Sequence, residues 1–274
     1  MSMRLLASIA LWIGLAASLA VPAYAAETLW DELNAMTASL YQQGRYLEAA
    51  KVAKEALKVA ENSFGPNHAN VATSLYRLAV LYKAQRNYAA AEPLYQRALA
   101  IQEKALGPDH PELARSLNDL AVLYKAQRNY AAAEPLYQRV LTIMEKSLGP
   151  SHSDVAVPLN NLGGLYQAQG KFAEAKPLYE RALAITENAL GPTHPHVAVF
   201  LHNLALLHQA QGEYTAAEPL YQRALALWEE TLGPTHLRVA TVVEQMAGLY
   251  KKMGRRNEAE RFEKRAKQIR ARHQ

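Results

Sequence analysis

Leucines, alanines and tyrosines recur along most of this chain at the spacing of a single helix face. Around residue 120, Leu117, Leu120, Ala121 and Tyr124 fall at i, i+3, i+4 and i+7. That spacing predicts an amphipathic helix over about Glu112 to Gln127. The Arg128-Asn129 pair interrupts the stripe, and Ala133, Leu136, Tyr137, Val140 and Leu141 begin a second one that ends near Leu148. Gly149 can take the left-handed conformation after a last turn and Pro150 cannot continue a helix, so together they stop it. No stretch alternates with the period of a strand.

The same helix pair returns at a fixed step. Gly-Pro stands at Gly65-Pro66, Gly107-Pro108, Gly149-Pro150, Gly191-Pro192 and Gly233-Pro234, always 42 residues apart. A histidine follows two places after each proline: His68, His110, His152, His194 and His236. Leu78 to Arg97 even recurs letter for letter as Leu120 to Arg139. A constant step of this size marks a repeat architecture, whose units cannot bury their apolar faces without neighbours. Six pairs are predicted, over about 29–64, 71–106, 113–148, 154–190, 196–232 and 238–272. Pro93, Pro135, Pro177 and Pro219 fall inside second helices, where each removes one backbone hydrogen bond and bends the helix slightly. Lys51 and Arg261 replace them in the first and last units, as suits terminal units that meet solvent on one side.

Composition narrows the picture further. Half of the 274 residues are apolar and none is cysteine, so neither a disulfide framework nor a cysteine-ligated metal is possible. The formal charge of +5 is a terminal feature, because residues 251–274 carry a net +7 and residues 26–250 a net −3. Nucleic acid is therefore not an expected partner. At the N-terminus, Arg4, an apolar run from Leu5 to Val21, and Ala23-Tyr24-Ala25 behind Pro22 read as a signal peptide over 1–25, cleaved before Ala26. Such a protein is exported, to the periplasm or beyond, with residues 26–274 as its mature array. An uncleaved leader would instead tether it to a membrane, although 17 apolar residues are at the short end of the roughly 17–25 that span a bilayer.

Chemistry-bearing patterns are few. Metal ions need ligands converging on one point, whereas the five histidines are spread over five junctions, where each is placed to satisfy backbone groups at the start of the next helix. The tyrosine rows, Tyr82, Tyr124, Tyr166 and Tyr250 in first helices and Tyr95, Tyr137, Tyr179 and Tyr221 in second helices, sit at stripe positions. They are expected to pack in the core with their hydroxyls reaching the surface. Phosphate-loop, hydrolase-elbow and zincin motifs do not occur. Neither enzyme activity nor a cofactor is expected.

The unit from Ser116 to Tyr124 followed by Tyr130-Ala-Ala-Ala-Glu-Pro-Leu-Tyr137 resembles the tetratricopeptide repeat signature. Ala121 and Ala133 match the small residues that let paired helices approach in that family. The period of 42 and the Leu-Gly-Pro-x-His loop are similar to the long-helix subtype found in kinesin light chains and in many bacterial repeat proteins. The resemblance implies an all-α, right-handed superhelical solenoid of about six antiparallel helix pairs. It also implies a protein or peptide partner held along the concave face, which the first helices line.

In that subtype an asparagine before the conserved leucine grips an extended peptide backbone, for an amide offers both a donor and an acceptor. Asn161 and Asn203 match the place, Asp119 and Gln245 are near substitutes, and Arg77 departs from it. One residue earlier stand Asn118, Asn160 and His202, with Tyr76 and Glu244 in the flanking units. One turn later come Lys83, Lys125, Gln167, Gln209 and Lys251, whose lysines would suit an acidic group or a C-terminal carboxylate. Two alternatives stay open: the asparagines tie neighbouring helices together, and the lysines are solvated surface. At the level of function the reading is a scaffold for protein-protein interaction outside the cytoplasm. Its alternatives are a solenoid that self-assembles through its terminal units and a membrane-tethered adaptor in envelope assembly.

Overall fold

The computed structural model describes residues 23–273, so the leader expected over 1–25 lies, up to residue 22, outside the described residues. Twelve α-helices hold nearly all of these residues, with no strand among them. In chain order they are α1 (Ala23–Gln42), α2 (Tyr46–Phe64), α3 (Ala69–Ala84), α4 (Tyr88–Leu106), α5 (Leu113–Ala126) and α6 (Tyr130–Leu148). There follow α7 (Ala156–Ala168), α8 (Phe172–Leu190), α9 (Pro195–Ala210), α10 (Tyr214–Leu232), α11 (Leu237–Lys252) and α12 (Arg256–Ala271). The first helix begins six residues before the expected 29, because Ala25 and Ala26 favour helix and Ala26 is buried. None of the described helices is long and apolar enough to cross a membrane.

Two kinds of turn alternate along the chain. Within a pair the connection passes through one left-handed residue: Gly44, Gly170, Gly212 and Gly254 have φ of +71° to +79°, and Arg86 and Arg128 hold φ of +57° and +60° at the equivalent place. Between pairs, Gly65, Gly107, Gly149, Gly191 and Gly233 have φ of +87° to +90°, with ψ of 152° to 162°. That is not the left-handed helical conformation the sequence suggests but an extended region open essentially to glycine alone. The histidine after it does what its spacing predicts. Nδ1 of His68, His110, His152, His194 and His236 accepts from the backbone N–H two residues on, at 3.1–3.3 Å, satisfying a donor that the new helix leaves unpaired.

Pairs are joined by small core residues and by a ladder of charges. α1 packs on α2, α3 on α4, α7 on α8, α9 on α10 and α11 on α12, and each of α2, α6, α8 and α10 also packs on the first helix of the next pair. Ala49, Ala91, Ala133, Ala175, Ala217 and Ala259 are all buried, which lets the paired backbones approach. Across the second helices, Arg97 meets Glu61, Arg181 meets Glu145 and Arg223 meets Glu187, each at 2.6 Å, and Arg265 meets Glu229. Arg97, Arg181 and Arg223 also donate to the carbonyls of Pro66, Pro150 and Pro192 at 2.8–3.3 Å, so one guanidinium fixes both the preceding helix and its exit turn. Pro93, Pro135, Pro177 and Pro219 lie within continuous helices, on their exposed sides. The chain forms two compact units, one up to Leu123 and one from Tyr124.

Candidate functional site

In the first unit, α1, α3 and the start of α5 line an open cleft of about 580 Å³. Its polar centre is one connected network. Lys83 Nζ lies 2.6 Å from Asp119 Oδ1, and the Tyr76 hydroxyl donates to the other carboxylate oxygen. Arg115 Nε donates to the Tyr76 oxygen at 2.8 Å, with its guanidinium 4.9 Å from the ring centre. Burial first, and then Asp119, hold the Tyr76 hydroxyl protonated well above the ordinary tyrosine range. Arg77, half-buried on the same wall, places one N–H on the carbonyl of Asn34 at 3.2 Å. The sequence singled out Arg77, Lys83 and Asp119 but missed Arg115. Its signal was present: Arg115 stands one turn before Asp119, where the other first helices carry Asp31, Thr73, Val157, Val199 and Thr241.

The lysine that binds Asp119 is thereby lost to a tyrosine. In the second unit the Tyr179 hydroxyl donates to Gln167 at 2.8 Å and the Tyr221 hydroxyl to Gln209 at 2.7 Å, each a strut between the two helices of one pair. In the last pair the strut becomes an ion pair between Lys251 and Glu263. At the matching place in the first unit the Tyr95 hydroxyl is buried without a hydrogen-bond partner, and Lys83 Nζ lies over its ring at 5.8 Å. Tyr179 and Tyr221 thus turn their hydroxyls inward to a glutamine one helix away, and all four second-helix tyrosines are buried instead of reaching the surface. Of the first-helix tyrosines, the partly buried Tyr166 and the buried Tyr250 donate to Glu134 and Glu218 of the preceding second helix at 3.1 Å.

The remaining predicted residues fall in the second unit, apart from Asn118, half-buried on α5 in the first. Asn203 Nδ2 on α9 donates to Asn160 Oδ1 on α7 at 2.7 Å, tying two successive first helices. Asn161 and Gln245 are half-buried on α7 and α11. Lys125 is desolvated, which lowers its pKa. It packs over α7 so closely that a Cβ on Gly164 would come within 2.9 Å of its Nζ. His202 is turned inward against the rings of Tyr221 and Trp228, at 5.9 and 5.4 Å between centres. Its Nε2 and the Trp228 Nε1 are buried without partners. Burial pushes its pKa down to about 4, outweighing the opposite pull of Asn203, so the ring is neutral.

Helix pairs repeated in series, with first helices carrying a polar, partly charged face, define a helical-repeat fold. The chain belongs to the tetratricopeptide repeat family, whose profile matches residues 32–104, 75–146, 154–214 and 196–272. Among solved structures it is similar to a Podosopora anserina kinesin light chain with nearly identical TPR-like repeats, at 27% identity and a TM-score of 0.67 over 74% of this chain and 95% of that one. BtubC (BKLC) from P. vanneervenii shares the fold at 24% identity and a TM-score of 0.66, over 88% of this chain and 92% of that one. A Rap protein complexed with Competence and Sporulation Factor shares it at 16% identity and a TM-score of 0.56, over 86% and 73%. No curated protein matches the chain.

Proposed function

We propose that the protein is an extracytoplasmic scaffold that holds an extended segment of a partner protein along its first helices. The observation that carries this reading is the cleft of the first unit, where Tyr76, Arg77 and Lys83 of α3 gather with Arg115 and Asp119 of α5, the next first helix. Such a wall suits a peptide with an acidic group. A carboxylate can take a guanidinium in a paired geometry, and an amide backbone can exchange donors and acceptors with Asp119 and Tyr76. Location outside the cytoplasm is supported by the run from Arg4 to Ala25, and cleavage before Ala26 accounts for it without a membrane tether.

The test is peptide display on the purified protein, followed by titration of a selected, labelled peptide. Replacing Arg77 and Lys83 together by alanine removes charge-assisted contacts of about 1.5–3 kcal/mol each, so affinity should drop by tenfold or more. Selected peptides that bind the double variant unchanged would remove the cleft from the account. Mass measurement of protein recovered from an exporting host should give a chain beginning at Ala26. An intact Met1 in the membrane fraction would replace the free scaffold by the tethered adaptor.

A further inference from the structure

We propose that copies of this chain associate head to tail, with α1 of one copy seated on the outward face of α12 of another. The pattern of packing within the chain supplies the geometry. Each of α2, α6, α8 and α10 packs on the first helix of the following pair. Of the described helices, α12 is a second helix with no first helix after it, and α1 a first helix with no second helix before it.

The positions that make this contact change sign at the two ends. Leu57, Leu99, Leu141, Leu183 and Leu225 occupy one place of the second helices. Leu57 packs with Val71, Ala72 and Leu75 of the next first helix, and Leu141 with Val155, Ala156 and Leu159. In α12 that place is Lys267, which is exposed. Conversely Ser74, Ser116, Pro158, Phe200 and Val242 occupy one buried place of the first helices, and in α1 that place is the exposed Glu32.

The surroundings repeat the opposition. Along α1, Glu27, Asp31 and Glu32 are exposed and no lysine or arginine occurs. Arg255, just before α12, and Arg265 and Arg270 on it are spent on Glu218, Glu229 and Glu244. The outward side exposes Arg256, Arg261, Lys264, Lys267 and Arg272 against the single acid Glu260. A hollow lined by Glu260, Glu263, Lys264, Lys267, Gln268 and Ala271 runs along that side, its second acid Glu263 being paired with Lys251. Solubility alone asks each end for charge but not for opposite charges. On α2, beside α1, Lys51, Glu55 and Lys58 are mixed in sign, so the match rests on α1. Exposed ion pairs are individually weak and screened by salt, so the association is weak and ionic-strength dependent.

Sedimentation of the full protein from an exporting host, at roughly 0.01 M and 1 M salt where the Debye length is about 30 and 3 Å, reads this directly. Average mass should climb with concentration at low salt and return to that of the monomer at high salt. Lys264→Glu with Lys267→Glu, and separately Asp31→Lys with Glu32→Lys, should each weaken association tenfold or more while circular dichroism stays unchanged. An equimolar mixture of the two double variants should associate again, because each reversed end then meets an opposite one. A monomer at low salt, or association indifferent to both reversals, overturns the proposal. So does a protein that stays monomeric but binds phosphatidylglycerol vesicles through Lys264 and Lys267, which would give the basic face to a membrane.

Discussion

The amide of Asn203 donates to the amide oxygen of Asn160 across 2.7 Å, so two residues placed to grip a peptide are joined to each other and bridge α9 to α7. Asn203→Ala should therefore lower stability by about 1 kcal/mol, the net worth of one neutral hydrogen bond whose partner stays half-buried. A urea titration reads this as a lower midpoint at unchanged slope. An unchanged midpoint would show that the amides are available to a ligand.

Tyr95 and Tyr179 occupy the same place in two repeats, yet only Tyr179 has a hydrogen-bond partner. Tyr179→Phe strands Gln167 and should cost about 1 kcal/mol, whereas Tyr95→Phe removes a buried, unpaired hydroxyl and should be neutral or stabilising. Thermal melts of the two variants check the contrast. Equal losses would mean that the glutamine strut contributes nothing.

Arg86 and Arg128 hold left-handed backbone at the turn where the other four pairs have glycine. A non-glycine residue there costs about 1–2 kcal/mol; glycine removes that strain, while its looser unfolded chain costs about 0.5–1 kcal/mol in return. Arg86→Gly and Arg128→Gly should each stabilise by roughly 0.5–1 kcal/mol, seen as a higher melting temperature for each variant.

His202 makes stability fall with acid. Its pKa is about 4 in the fold against an ordinary 6.5, so below pH 6.5 the unfolded chain binds a proton that the folded one refuses. The loss begins near pH 6.5, is complete below about pH 4, and amounts to roughly 3 kcal/mol. His202→Gln should flatten that part of the stability profile, measured by denaturant titrations across the range. A parallel loss in both proteins would shift the cause to other groups.

Repeat number, helix type and turn positions could all be read from the sequence, because they rest on local periodicity. Apolar spacing set the stripes, Gly-Pro set the stops, and each histidine two places on was placed to satisfy backbone groups at the start of the next helix, as Nδ1 of His194 does. The charge reversal between Glu32 and Lys267 was equally present in the letters, but it gains meaning only once the neighbours of those positions are known. What the letters could not decide is which partner each polar side chain takes. Asp119, Lys83 and Tyr76 are far apart along the chain, and only packing of α3 beside α5 closes their network and leaves Tyr95 without a partner. Likewise the sequence placed His202 in a row of groove residues, while the tertiary fold turned it between Tyr221 and Trp228. Periodicity fixes the face on which a residue lies to within a turn. The choice between solvent, groove and interior at the edge of that face depends on distances of a few ångströms between helices, which only the packed array supplies.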